Sequence, residues 1–379
     1  MKKRETGKSL MISILSLSLL TVMAGAAVAP ALGIIKEHFA GENPLFVQMI
    51  ISMPALFIIA ANVAFPKLCR IFGTRTLVLS GLILYTAGGC AAGAFDNIFL
   101  VLTARALVGI GVGIFMPLST GLLTFYYDSD RTEKLMGHSS AMNQIGGAIA
   151  TLLSGLLAGI SWRASFLVYG LGLISIVLCL IFLPNDRIDA EESSLSFKTF
   201  KENLSCIVSM FLLMVTFFIY PANFAITIAA EGIIPQNFIA VIMAGMDAVA
   251  FCGGLLFVNI KIIMGERIRF LAPVLFIAGY MMLTFIGGWT GALLGSLCIG
   301  FANGEGIPYI ISTASRKAGK AAAATVMPMI SAALYLGQFM TPVIISAAAA
   351  LAGKDIVVLP YYLAVGTGLC FLITSRKVK

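Results

Sequence analysis

Residues 98–126 read IFLVLTARALVGIGVGIFMPLSTGLLTFY, and Arg105 is the single charged side chain in this stretch. About 20 consecutive apolar residues form a helix long enough to cross the roughly 30 Å hydrocarbon core of a bilayer. The stretch therefore predicts a transmembrane helix that carries one charge inside the membrane.

The composition of the whole chain has the same character. Of its 379 residues, 59% are hydrophobic and only 11% are charged, whereas an average soluble domain carries about 25% charged residues. A core of this size cannot bury so much apolar surface in water, while lipid accommodates it. The composition therefore predicts an all-α integral membrane protein.

Twelve apolar runs have the length of a membrane helix. The first six are 10–34, 46–65, 76–95, 98–126, 139–160 and 164–183. The last six are 204–230, 237–259, 268–289, 290–312, 323–349 and 356–374. A polar segment of mixed charge at 185–203 separates the two sets, and we interpret it as a cytoplasmic linker.

The positions of Lys and Arg indicate how the chain is oriented. When the N-terminus is placed inside, only Lys36, Arg163 and Lys354 fall in outer segments, Arg105 lies within a span, and the other basic residues fall in inner segments. This bias predicts a multi-pass protein of the plasma (inner) membrane with both termini cytoplasmic. The apolar run that follows the basic residues 2–4 exceeds the core of a signal peptide, so we expect it to be retained as the first helix.

The two sets of six helices repeat each other at an offset of 191 or 192 residues. The matching positions are Gly109 and Gly300, Gly113 and Gly304, Pro117 and Pro308, Gly146 and Gly337, Phe65 and Phe257, and the segments 73–75 and 265–267. Parallel repeats are a recognised transporter architecture, with the substrate site near the bilayer midplane between the halves. We therefore expect twelve transmembrane helices in two pseudo-symmetric six-helix bundles, at 1–184 and 204–379, joined by the linker at 185–203.

These features resemble the major facilitator superfamily over essentially the whole chain. Between helices two and three that family has G-x-L-A-D-R-x-G-R-R, and residues 66–75 here read PKLCRIFGTR. Leu68, Gly73 and Arg75 fit the motif, whereas Arg70 replaces its aspartate. The resemblance implies that Gly73 and Arg75 take part in gating, while the lost aspartate alters the family's charged latch.

Helices four and five carry further resemblances. Proton-coupled members often have R-x-x-Q-G-x-G in helix four, and residues 105–111 read RALVGIG. Gly146 and Gly155 fit the export-branch motif G-x-x-x-G-P-x-x-G-G of helix five, and residues 162–166, WRASF, look like the W-R-x-x-F segment of drug/proton antiporters. The resemblance therefore implies proton-coupled efflux of a small organic or cationic compound.

Three charged side chains lie in the predicted spans away from the span ends, namely Arg105, Asp247 and Glu305. A charge at a helix centre costs about 2.5–3.5 kcal/mol on insertion scales, so such residues usually face a polar interior. Carboxyl groups in a partly dry cavity can take up and release a proton near neutral pH. Our hypothesis is that Asp247 or Glu305, or both, bind the coupling proton or a cationic substrate, with Arg105 assisting. The alternative is that these residues pair with one another or satisfy bent-helix backbone.

Uncharged polar residues at mid-helix depth are candidates for lining a substrate cavity. They are Asn143, Gln144, Tyr220, Asn223, Asn303, Tyr309, Tyr335 and Gln338. Each can hydrogen-bond a substrate, but Asn and Gln also bond across packed helices for stability. For each residue both interpretations, substrate binding and helix packing, stay open.

Several function classes find no support in the sequence. The seven cysteines show no CxxC spacing, and His38 and His138 are too far apart to form a metal site. Charges fall in short runs between apolar stretches, which excludes a nucleic-acid surface. Neither a phosphate-binding loop nor HExxH nor a nucleophile elbow is present. We therefore expect no cofactor, no metal, no nucleic-acid partner and no enzyme activity.

The expected partners are a small-molecule substrate, protons and membrane lipid, and we expect the chain to act as a monomer. Within transporters, the alternative is an uptake permease for a metabolite or organic anion, with Arg105 binding the anion. Ala150, Thr151 and Ser154 depart from the helix-five export motif, which keeps this alternative open. A channel is a second class, but the chain has no repeated filter-like loop. A membrane-embedded enzyme or sensor is a third class, for which no paired nucleophile and base appear.

Overall fold

The structure is a computed structural model that describes residues 8–187, 197–352 and 358–378. Over these ranges the chain forms α-helices and short 3₁₀ helices, without a β-strand. The α-helices are α1 (Lys8–Ala26), α2 (Leu32–His38), α3 (Pro44–Ile71), α4 (Thr74–Ala91), α5 (Ile98–Tyr126), α6 (Ser129–Ala158), α7 (Trp162–Ser165), α8 (Gly172–Phe182), α9 (Phe197–Glu231), α10 (Gln236–Met264), α11 (Leu271–Phe285), α12 (Gly288–Ala352) and α13 (Leu359–Ser375). The all-helical prediction is confirmed.

Nine helical segments within the described ranges are long and apolar enough to cross a membrane. One of them, Gln236–Phe285, contains the predicted span 237–259 and most of the predicted span 268–289. The chain is therefore a multi-pass membrane protein, and the number twelve stays a prediction. Large apolar side chains such as Ile263 (83% exposed) and Val63 (76% exposed) lie on the outside of these helices, where lipid replaces water as the solvent.

The predicted run 98–126 coincides with α5. The helix begins there because the Asn97 side chain accepts hydrogen bonds from the backbone N–H groups of Phe99 (2.9 Å) and Leu100 (3.4 Å). This N-cap satisfies two of the four amide donors that have no partner within the helix.

The first predicted span, 10–34, is interrupted. Helix α1 ends at Ala26, a 3₁₀ turn occupies Ala29–Ala31, and α2 follows. Pro30 lies inside this turn, and proline both lacks an N–H and clashes with the preceding helical turn. Lys8–His38 as a whole is still long and apolar enough to cross a membrane, so the predicted span is kept. The backbone break within it was not predicted, because hydropathy does not register it.

The break predicted between spans 290–312 and 323–349 is absent, because α12 is a single helix of 65 residues. The connecting stretch is rich in alanine and basic residues, which are strong helix formers. A straight helix of this length would measure about 98 Å. That is about three times the hydrocarbon thickness, so α12 is too long for one membrane crossing.

The chain falls into two compact units. The first comprises the described residues within 1–31 and 49–192, and the second comprises those within 32–48 and 193–379. Residues 188–196 of the predicted linker lie outside the described residues, and 197–203 belong to α9. The domain boundaries 1–184, 185–203 and 204–379 stay a prediction.

Glycines at matching repeat positions pack against corresponding helices in the two units. The pairs are Gly109 with Gly300, Gly113 with Gly304, and Gly146 with Gly337. The first two pairs pack α5 on α3 and α12 on α10, and the third packs α6 on α1 and α12 on α9. A Cβ at any of these glycines would overlap the facing helix, so each allows a close approach of two backbones.

Candidate functional site

Glu305 of α12 is a buried carboxyl group in the second unit. Its side chain is 1% exposed, and neither carboxyl oxygen has a hydrogen-bond partner among the residues that the structure describes. The Oδ1 atom of Asn303, two residues earlier, is also buried without a partner. Buried polar atoms usually have a partner, so this pair of side chains requires an explanation.

Two glycines place Glu305 among neighbouring helices. A Cβ at Gly304 would overlap the carbonyl oxygen of Ala250 in α10, and a Cβ at Gly306 would lie 2.5 Å from the Leu213 Cδ1 atom in α9. The backbone on both sides of Glu305 therefore contacts other helices directly. An enclosed carboxyl group without a partner is chemically suited to the reversible binding of a proton or a cation.

Asp247 of α10 is half-buried and belongs to the same unit. It lies within Coulombic range of Tyr220, whose hydroxyl is 2.7 Å from the Ser296 Oγ atom. The Ser296 hydroxyl also donates to the Ala292 carbonyl at 2.6 Å. Asp247 thus interacts electrostatically with Tyr220, whereas both carboxyl oxygens of Glu305 are buried without a partner among the described residues.

Arg105 of α5 lies in the first unit and is fully buried. Its Nε atom donates to the Ile50 carbonyl at 2.7 Å, and Nη1 donates to the Tyr169 hydroxyl at 2.6 Å. Its Nη2 atom donates to the Ala24 carbonyl, which also accepts from the Tyr169 hydroxyl at 2.9 Å. None of these partners is a carboxylate, so the hydrogen bonds of Arg105 belong to the backbone and to one phenol.

Four of the predicted cavity residues use their polar atoms within the protein. Asn143 accepts from the Thr21 hydroxyl at 2.6 Å, and Tyr220 bonds to Ser296. Asn223 accepts from Gln48 Nε2 at 2.6 Å, and Tyr309 donates to the Val378 carbonyl at 3.3 Å. These bonds are the helix-packing interactions that the alternative interpretation describes.

The other four predicted cavity residues differ among themselves. Gln144 and Gln338 are half-buried and make no hydrogen bond with any described residue. Asn303 has the partnerless Oδ1 atom noted above, and Tyr335 is half-buried. Gln144, Gln338 and Asn303 therefore keep polar atoms available for a ligand.

The predicted gating residues contact the last turn of α8 and the segment that follows it. Arg75 Nη2 donates to the Leu180 carbonyl, and a Cβ at Gly73 would overlap the Asn185 side chain. The neighbouring Thr74 N–H donates to the Asp186 carbonyl at 2.8 Å. Gly73 and Arg75 therefore hold residues 180–186 within the first unit. We call residues 183–186 the docked segment.

The sequence analysis did not identify two pairs of buried tyrosines, one in each unit. Tyr85 and Tyr169 have ring centroids 5.3 Å apart in the first unit, and Tyr280 and Tyr361 have centroids 5.8 Å apart in the second. Tyr169 and Tyr361 are 192 positions apart, which is the repeat offset. The repeat could therefore have identified this pair.

No group of His, Cys, Asp or Glu in the described part of the chain is arranged to hold a metal ion. All seven cysteines are free thiols.

The sequence profile of the Major Facilitator Superfamily matches residues 14–342. The "Multidrug resistance protein B homolog" of Mycobacterium tuberculosis is 33% identical over 127 residues, which cover 32% of this chain and 23% of that protein. The "Riboflavin transporter RibZ" of Clostridioides difficile is 22% identical over 170 residues, which cover 44% of this chain and 37% of that protein. The "Putative multidrug resistance protein MdtD" of Escherichia coli is 25% identical over 158 residues, covering 41% and 34%. The matches thus span well under half of each relative.

Solved structures share the fold over nearly the whole chain. A bacterial homolog of the human lysosomal transporter Spinster, in an inward-facing and occupied conformation, gives a TM-score of 0.77 at 14% identity and covers 100% of this chain and 98% of its own. The nucleoside transporter NupG gives a TM-score of 0.78 at 11% identity and covers 97% and 99%. At such identities the likeness concerns the fold alone.

Proposed function

Because the chain belongs to the Major Facilitator Superfamily, we propose that it is a secondary active transporter that exports a small organic molecule across the plasma membrane in exchange for protons. Membership makes it a multi-pass transport protein rather than an enzyme. The proposed mechanism is alternating access, in which two halves expose a central site to each side in turn.

The observation that carries the coupling proposal is the buried, partnerless carboxyl group of Glu305. A group that binds a proton in one step and releases it in another needs an environment that does not hold its charge permanently with a fixed cation. Glu305 meets this condition among the described residues. We assign it the coupling proton, and we assign Asp247, with its polar neighbours, to the substrate or to a second proton.

The proposed architecture is two pseudo-symmetric six-helix bundles with both termini cytoplasmic. The matching glycine contacts in the two units support it, since a duplicated bundle would keep its close helix contacts at equal positions. We propose that the chain acts as a monomer surrounded by membrane lipid, as its large exposed apolar side chains suit lipid contact.

Efflux is favoured by the names of relatives in Mycobacterium tuberculosis and Escherichia coli, which are described as multidrug resistance proteins. A second candidate is transport of a metabolite, because a riboflavin transporter is also among the relatives. The candidate cavity residues for either cargo are Gln144, Gln338 and Asn303, whose polar atoms are available.

The test is proton movement in proteoliposomes that enclose a pH-sensitive dye. Ethidium represents cationic drugs and riboflavin represents metabolites. We expect ethidium to evoke proton movement that Glu305→Gln abolishes, whereas Glu202→Gln, at an exposed position of α9, leaves it unchanged.

The direction of the pH change distinguishes exchange from co-transport. Proton flux evoked by riboflavin alone would favour the metabolite candidate. Ethidium flux without proton movement, equal in the wild type and Glu305→Gln, would overturn the coupling proposal.

A further inference from the structure

Arg105 is the one charged residue of α5, and the resemblance to proton-coupled transporters rests partly on it. On the basis of the proposed transport function, we infer that Arg105 is a positioning residue. It donates hydrogen bonds to helix carbonyls that lack their usual backbone N–H donor. It neither carries the proton nor binds an anionic substrate.

The first such carbonyl belongs to Ile50 in α3. In an α-helix this oxygen would accept from the N–H of residue 54, but residue 54 is proline and has no N–H. Arg105 Nε donates to the Ile50 oxygen at 2.7 Å. The guanidinium therefore replaces the donor that Pro54 removes.

Gly109 brings the two helices close enough for this bond. A Cβ at Gly109 would lie 2.8 Å from the Pro54 Cα atom and 2.9 Å from the Phe57 Cβ atom. One turn of α5 separates Gly109 from Arg105, so the close approach at Pro54 places the guanidinium beside Ile50. The Arg105-x-x-x-Gly109 spacing thus has a reason in backbone packing.

The second carbonyl belongs to Ala24, two residues before the end of α1. Its helical donor would be the N–H of Val28, which lies beyond the end of α1. Arg105 Nη2 and the Tyr169 hydroxyl donate to this oxygen instead. The Arg105 Cζ atom also lies 5.1 Å from the centroid of the Tyr169 ring, so the two side chains brace each other.

A neutral group lies beside a proline-containing helix in the second unit. Pro221 of α9 removes the donor for the Phe217 carbonyl. The Tyr280 hydroxyl donates to the Thr216 carbonyl at 2.6 Å and approaches the Phe217 carbonyl at 3.4 Å. The shorter bond goes to Thr216, whose helical donor, the N–H of Tyr220, is not removed by Pro221, and only the longer contact reaches the Phe217 carbonyl. A neutral phenol thus donates to carbonyls beside a proline, which agrees with a backbone-donor role for Arg105.

The chemistry of the guanidinium agrees with this assignment. Arginine is not deprotonated in proteins, so it cannot relay a proton by losing one. Each of its three nitrogens donates to a carbonyl or to Tyr169. An anionic substrate would have to reach a side chain that is 0% exposed, among the bonds that link α5 to α1 and α3.

The experiment combines Arg105→Ala with Pro54→Ala, which restores an N–H for Ile50. We expect Arg105→Ala to lower the maximal transport rate about tenfold, with little change in KM. The pH at half-maximal rate should move by less than about 0.3 units, since no proton carrier is lost. In the double variant, Pro54→Ala should recover part of the rate. Pro44→Ala, at the exposed start of the same helix, should recover none.

Two further measurements keep the outcome decisive. The melting temperature of each purified variant reports folding. Arg105→Lys, which keeps the charge but has one donor nitrogen in place of three, replaces Arg105→Ala if that variant does not fold. A shifted pH profile, or equal effects of Pro54→Ala and Pro44→Ala, would overturn the inference. If Glu305→Gln leaves proton movement intact, the proposal that Glu305 carries the coupling proton fails. The inference about Arg105 does not depend on that result, because the Arg105 and Pro54 variants test it separately.

Discussion

Glu305 and Asn223 are both buried polar side chains within apolar helices, yet their surroundings differ. Asn223 accepts from Gln48 at 2.6 Å and donates to the Ile219 carbonyl at 3.0 Å. Glu305 has no such partner among the described residues. A satisfied polar group supports helix packing, whereas an unsatisfied one reduces stability and points to function.

We expect Glu305→Gln to leave the melting temperature unchanged or to raise it, because the substitution removes a charge that no side chain compensates. Asn223→Leu is the contrasting variant, since it leaves Gln48 without its acceptor and should cost roughly 1–3 kcal/mol. Thermal unfolding of both purified variants in one detergent measures the difference. If the melting temperature of Glu305→Gln falls as far as that of Asn223→Leu, the carboxyl group has a structural role.

The sequence locates polar residues in apolar helices but not their partners. Tyr220 and Asn223 stand out by composition alone, whereas the partner of Asn223 lies 175 positions away. Such a pairing depends on how helices pack, and hydropathy contains no information about that. For the same reason Arg105 could be recognised as significant while its two carbonyl partners could not.

At the scale of elements, the docked segment at 183–186 ties the end of α8 to the start of α4 and to α5. The Thr74 hydroxyl donates to the Pro184 carbonyl at 3.2 Å, and the Tyr126 hydroxyl donates to the Asp186 carboxylate at 2.7 Å. The Asn185 side chain lies directly against Gly73. The gating residues implied by the family motif thus bind the chain as it leaves the first set of helices.

This contact predicts a compensating pair of substitutions. Gly73→Ala should impair transport and stability because the new methyl group overlaps the Asn185 side chain, while the backbone, with φ of −73°, accepts alanine without strain. Asn185→Ala removes the overlapping atoms and should restore much of the loss in the double variant. The transport rates and melting temperatures of the wild type, the two single variants and the double variant form a double-mutant cycle.

Gly121→Ala is the matched control, since nothing lies within 4 Å of a Cβ there. Purely additive effects of Gly73→Ala and Asn185→Ala would contradict the contact.

Element boundaries were predictable where side chains define them. The bounds of α5 follow from an apolar run that begins after the N-cap Asn97. The α1 break and the continuity of α12 were missed, because apolar length measures membrane depth and not backbone hydrogen bonding. Pro30 and the alanine-rich stretch of α12 were the local signals for these two features.

At the scale of the whole molecule, the repeat predicts that equivalent glycines are equally important. Gly109→Ala and Gly300→Ala should each destabilise the protein by roughly 1–3 kcal/mol, because each methyl group would overlap backbone of a facing helix. Gly121→Ala should be neutral or slightly stabilising, as alanine favours a helix by about 0.5–1 kcal/mol over glycine. Unfolding of the three variants under identical conditions compares them. A large loss of stability at only one of Gly109 and Gly300 would argue against equivalent packing of the two repeats.

Arg105 has a consequence for how the protein responds to membrane voltage. Its positive charge is bonded to the backbone of its own unit, and no carboxylate is among its hydrogen-bond partners. Any displacement of that unit along the membrane normal moves this charge through the transmembrane field. A full crossing by one elementary charge changes the energy by about 2.3 kcal/mol per 100 mV. The energy that voltage contributes would scale with the distance that Arg105 travels, so transport of even an uncharged cargo would depend on voltage.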